Sequence, residues 1–104
     1  MEPDAQLLKE LVRRIVEAVH PLRIILFGSA AWGENDEVND LDFFIIKKNV
    51  PYYGGDRINE LYRLIDAHSA VDYIVYKPEE AEKWLALGDP FLKKIFTEGK
   101  VLYG

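Results

Sequence analysis

Three short apolar runs, Leu22–Phe27, Leu41–Ile46 and Val71–Tyr76, restrict this chain more than any other feature. Each is too short for an ordinary buried helix, is rich in β-branched or aromatic residues, and so reads as a strand. The segments around them carry a different period. Leu7, Leu8, Leu11, Val12, Ile15, Val16 and Val19 recur at helical spacing after Pro3-Asp4 and end near His20-Pro21. Ile58, Leu61, Tyr62 and Ile65 mark one side of a second helix, with Asp56 as its N-cap. Pro78 with Glu79-Glu80 opens a third that runs through Trp84 and Leu85. Asp89-Pro90 starts a last helix ended by Gly99, and Val101–Tyr103 forms a short extended tail. The alternation predicts an α+β domain in which helices cover a small sheet, without fixing strand order or direction. With 104 residues, the chain builds one compact core and forms a single domain, 1–104.

Composition removes several classes of function. A net charge of −5 opposes the broad basic surface needed to grip a nucleic-acid backbone unaided, so unassisted polymerase activity or tRNA binding is not expected. The absence of cysteine excludes disulfides, thiolate metal sites and cysteine nucleophiles. The acidic, amphipathic start differs from a basic secretory leader, and no apolar run approaches the ~20 residues of a membrane span. A cytoplasmic protein without membrane contact is expected.

The chemistry concentrates in acids and one loop. Residues two apart on a strand share a face, so Asp40 and Asp42 project together with roughly 7 Å between their Cα atoms. Leu41, Phe43 and Ile45 on the opposite face anchor that strand. Paired carboxylates suit Mg²⁺, a hard cation that completes its octahedron with water and substrate phosphates. Asp72 stands at the start of the third strand, where a buried charge would need a metal or another charged partner. Gly28-Ser29 follows the first strand directly. Glycine there lets backbone approach a phosphate, serine adds a hydroxyl donor, and a short helix beginning at Ala30-Ala31 would turn its first N–H groups to the anion.

Alone, each element has an ordinary explanation: a turn, a cap, a charge at a strand edge. Their order is what carries meaning. The stretch GSAAWGENDEVNDLDFFII, with the later acid in VDYIVYKPEE and the closing EGKVLYG, resembles the nucleotidyltransferase superfamily that includes DNA polymerase beta and kanamycin nucleotidyltransferase. That resemblance implies a polymerase beta-like fold, a small mixed sheet with flanking helices. It assigns Gly28 and Ser29 to the nucleotide phosphates and Asp40, Asp42 and Asp72 to two Mg²⁺ ions. By the same resemblance Asp72 would also orient or deprotonate the attacking hydroxyl. The reaction implied is in-line attack at the α-phosphate of an NTP, ATP above all, releasing pyrophosphate.

A chain this short is similar to the minimal nucleotidyltransferases paired with helical HEPN proteins in toxin-antitoxin systems. The likeness implies an antitoxin that transfers AMP to a tyrosine of its HEPN partner, encoded by an adjacent gene. Two other readings stay open: transfer to a small aminoglycoside-type molecule in a pocket completed by self-association, or a non-catalytic module that blocks its partner by binding. The loop departs from many relatives in carrying Ala30, Ala31 and Trp32 where they carry arginine, a bidentate phosphate partner. Lys47 or Lys48 would replace that charge only if the next loop folds back. Tyr52 and Tyr53 are candidates for a wall over a base, against the commoner roles of packing or partner contact. His20 and His68 lack a second histidine at a metal-ligand spacing. Trp84, Leu85, Phe91, Leu92, Ile95 and Phe96 exceed what so small a sheet covers, and any exposed remainder is a partner or homo-oligomer surface.

Overall fold

The computed structural model describes residues 5–32, 40–51, 54–64 and 70–104; the side chains of Ser29 and Asp40 lie outside that description. Tyr52, Tyr53, Ile65 and His68 also fall outside it. The order is α1 (Ala5–Val19), β1 (Arg23–Phe27), α2 (Ser29–Trp32), β2 (Asp40–Ile46), α3 (Gly54–Leu64), β3 (Ala70–Tyr76), α4 (Pro78–Ala86), α5 (Pro90–Glu98) and β4 (Lys100–Tyr103). The strands form one sheet in the order β3-β2-β1-β4. β1 runs antiparallel to both β2 and β4, whereas β2 and β3 are parallel, with α3 lying between them in the chain. The sheet is therefore mixed, and the fold is α+β with flanking helices.

Both faces of the sheet are covered, which is why β1 is apolar without alternation. On one face Leu11, Ile15 and Val19 of α1 and Leu61 of α3 pack on Ile24, Leu26, Leu41, Phe43, Ile45, Val71, Tyr73 and Val75. On the other, Ala81 of α4 and Leu92 and Ile95 of α5 pack on Ile25, Phe27, Phe44 and Ile46. This second layer buries Leu92 and Ile95 and partly covers Leu85 and Phe96, while Trp84 and Phe91 stay exposed.

Several element ends differ from expectation. α3 begins at Gly54, which places Asp56 inside the first turn rather than at the N-cap. An acid there still faces the positive end of the helix dipole. The C-terminal tail is a strand: Lys100, Val101 and Tyr103 pair with Leu26, Ile25 and Ile24 of β1. Gly99 makes that return possible, because a Cβ at this position would lie 2.4 Å from the Ile95 carbonyl oxygen and 2.6 Å from Ile25 Cγ2. At the end of α1, His20 adopts φ 49° and donates its N–H to the Val16 carbonyl, so a left-handed residue closes the helix before Pro21. Asp89 caps α5 as expected, its Oδ1 accepting from the N–H groups of Phe91 and Leu92.

One buried cation ties the α3 side to the α4 side. Arg57 donates to the carbonyls of Pro51 (2.5 Å) and Val75 (3.1 Å) and forks onto Glu80 at 2.7 and 3.3 Å. Glu80 in turn accepts from the Lys77 N–H at the start of α4. These bonds hold Glu80 below the usual carboxylate range, the Arg57 guanidinium contributing most. Among the described residues no helix is long and apolar enough to cross a membrane.

Candidate active site

β2 and β3 bring the acids together. Their parallel register sets Asp42 directly opposite Asp72 and Asp40 opposite Ala70. Paired residues on adjacent parallel strands point to the same face, with Cα atoms roughly 4.8 Å apart. Asp42 and Asp72 therefore share the face that Phe44 and Ile74 continue beneath α4 and α5. Asp40, two residues earlier, is the first residue of β2.

The two described carboxylates differ in setting. Asp42 sits on an inner strand, partly buried, and its Cα partner on β1 is Phe27. Asp72 is exposed on the edge strand β3, so it does not bear the burial cost expected of it. Its partner is Tyr62 of α3, whose hydroxyl lies 3.2 Å from Asp72 Oδ1 and 2.8 Å from the Val71 carbonyl oxygen. The Tyr62 ring meets Tyr73 edge-on at 5.1 Å. The phenol is pushed above its ordinary value by partial burial, then by the bond to Asp72 and the charges of Asp72 and Asp42. Beneath it, burial pushes Tyr73 up to about 12.

Gly28 connects the loop to the acids. It has φ +75°, and a Cβ added there would stand 2.3 Å from Asp42 Oδ2. Glycine is thus required twice, for the left-handed backbone and for the space that the carboxylate fills. Ser29 starts α2, one residue earlier than expected. The N–H groups of Ala31 and Trp32 both donate to the Gly28 carbonyl at 3.0 Å. Those two amides close the turn, so the anion cradle expected to include Ala31 is reduced.

Lys47 and Lys48 do not repair the missing loop arginine. They follow the far end of β2, roughly 16 Å along the strand from Asp42, in a depression of about 310 Å³ lined by Val19, His20, Leu22 and Asn49. Beside the short helix α2 lies Lys94 of α5, whose Nζ is 3.9 Å from the centre of the Trp32 ring. The spacing of the motif gives no sign of the Tyr62 hydroxyl at Asp72 or of Lys94 beside Trp32, since each comes from a helix outside the motif. Tyr62 lies on the apolar side of its helix, where its ring packs on Tyr73 while its hydroxyl reaches Asp72.

The donor set is of hard oxygen. Asp42 and Asp72, adjacent on one face, are carboxylates of the kind that suits a hard divalent cation such as Mg²⁺ better than a softer metal.

A family model described as a nucleotidyltransferase domain matches residues 6–103. Among solved structures, a Sulfolobus solfataricus protein provisionally designated a nucleotidyltransferase superposes with a TM-score of 0.60 at 29% identity, covering 75% of this chain and 70% of that one. Among curated proteins, a 2-hydroxy-6-oxononadienedioate/2-hydroxy-6-oxononatrienedioate hydrolase of Klebsiella pneumoniae is 31% identical over 80 residues. The match takes in 71% of this chain and only 27% of the hydrolase's length. The present sequence has no G-x-S-x-G turn, the arrangement that presents a serine nucleophile in α/β-hydrolases.

Proposed function

The chain belongs to the nucleotidyltransferase domain family, and from that premise we propose that it transfers AMP from ATP to a tyrosine of a helical HEPN partner, as an antitoxin. The observation that carries this reading is the in-register pairing of Asp42 with Asp72, with Gly28 packed against the Asp42 carboxylate. Asp40, Asp42 and Asp72 would hold two Mg²⁺ ions. When bound, such ions offset charge on the attacking and leaving oxygens of phosphoryl transfer.

The chain's own groups do the rest. Gly28, lacking a side chain, lets the nucleotide phosphates approach the backbone at the start of α2, where Ser29 contributes its hydroxyl. Lys94, on the neighbouring helix, lends positive charge to a loop without arginine. Asp72 accepts the proton of the acceptor hydroxyl. Its exposed position on an edge strand suits an acceptor presented by another protein.

The test is transfer of label from α-labelled ATP, with Mg²⁺, to the helical protein encoded next to this chain. Asp42→Asn should abolish labelling while the melting temperature stays near that of the unchanged chain; retained labelling would overturn the assignment of Asp42. No label from any of the four NTPs would remove the HEPN acceptor and leave the small-molecule acceptor and the non-catalytic binding module as the surviving readings.

A further inference from the structure

We propose that Tyr62 is itself an acceptor, so that the chain nucleotidylates its own active-site edge. This inference rests on the nucleotidyltransferase reading and adds a substrate hydroxyl that the chain carries. A general base must lie within hydrogen-bond reach of the proton it removes. Asp72, given that role above, already meets this condition with one hydroxyl, that of Tyr62 at 3.2 Å. The phenol has a single proton, shared between Asp72 and the Val71 carbonyl, and transfer follows when it points to Asp72.

Position and room agree with the assignment. Asp42 stands beside Asp72 on the face beneath α4 and α5, whereas the Tyr62 ring packs on Tyr73 of the other face, so the phenol oxygen reaches the Asp72 carboxylate from the α3 side. Edge-on packing against Tyr73 restricts the ring, which reduces the entropy lost on reaching an attacking geometry. Yet Tyr62 is 47% exposed, which a tyrosine serving only as core would not be and which leaves space for a bulky group on its oxygen.

The step balances as follows. The phenol proton passes to Asp72 Oδ1, and the phenol oxygen forms a bond to the α-phosphorus of the nucleoside triphosphate. The bond from that phosphorus to the β-bridging oxygen breaks, and pyrophosphate leaves with the electron pair. The product is a tyrosyl phosphodiester, and the proton on Asp72 returns to solvent.

The full chain is tested by intact mass and peptide mapping, as isolated and after incubation with ATP and MgCl₂. The expected result is a gain of one adenylyl group on the peptide containing Tyr62, removed again by a phosphodiesterase. Tyr62→Phe should lose the gain, while Tyr103→Phe, on the opposite edge strand, should keep it. The peptide map of the unchanged chain decides the matter even if Tyr62→Phe fails to fold. Without metal or nucleotide, tetranitromethane should nitrate Tyr62 before the buried Tyr73; a Tyr62 that resists nitration is too enclosed to be an acceptor. Label on the helical partner but never on Tyr62, or on another residue of this chain, overturns the inference and leaves the transferase reading intact. Label on nothing overturns both.

Discussion

Replacing Gly28 with alanine separates the demands of the backbone from those of the site. At φ +75° a non-glycine residue costs about 1–3 kcal/mol. A domain of this size loses roughly 4–8 °C in melting temperature per kcal/mol, so Gly28→Ala should melt well below the unchanged chain. The second effect is local. The new Cβ would lie 2.3 Å from Asp42 Oδ2, against 3.4 Å or more for an ordinary contact, so the carboxylate must retreat by about 1 Å. A displacement of that size in a catalytic constellation costs on the order of 100-fold in rate. Gly28→Asn distinguishes the two effects, because asparagine tolerates the left-handed region better than alanine yet carries the same Cβ. Thermal melts and single-turnover labelling on both variants should show partial recovery of stability in Gly28→Asn without recovery of transfer. A Gly28→Ala chain that melts and transfers like the original would refute the claim that Gly28 makes room for Asp42.

Two further predictions concern the frame behind the site. Glu80 is held below its ordinary value by Arg57, so its contribution to stability is present above about 4.5 and is lost as pH falls through the depressed folded value. Melting temperature against pH should drop on that acid limb, and Glu80→Gln should lower the neutral plateau and flatten the drop; an unchanged acid slope would show that the Arg57 bridge does not set it. Asp89→Ala removes the acceptor for the Phe91 and Leu92 amides and should cost about 1 kcal/mol, read by urea unfolding; no change in midpoint would mean that water replaces the cap.

The strands and the two-residue spacing of Asp40 and Asp42 could be read from the chain because they depend on local period alone. The short apolar runs gave β1, β2 and β3 to within a residue, and Asp89 gave the start of α5. What escaped depends on tertiary pairing. Nothing in Val101–Tyr103 states that it will join β1, because a short apolar tail reads alike as a strand or as a docked coil until Gly99 is seen against Ile25. Arg57 reads as a polar position on α3, and only the fold reveals its carbonyl and carboxylate partners. The parallel register of Asp42 with Asp72 likewise lies beyond periodicity, since α3 sets the offset between the two strands.

That register gives the acids unequal freedom. Asp42 is confined by Gly28 on an inner strand, so its position is a property of the sheet. Asp72 lies on the edge strand of the described sheet and is steadied by a tyrosine from a helix, a contact that can break without disturbing either core layer. On the proposed function, Asp42 would be a rigid acid on the nucleotide side and Asp72 an adjustable one on the acceptor side, a division that would suit transfer to varied hydroxyls. Phosphate geometry is the same in every nucleotide, whereas the acceptor's approach is not. In Tyr62→Phe the Asp72 carboxylate loses its tether and the Asp42 carboxylate does not. Carbonyl-carbon NMR of the two aspartates, before any ligand is added, should therefore show a change at Asp72 and none at Asp42. Equal changes at both would mean that the pair moves as one unit and that the division of roles is wrong.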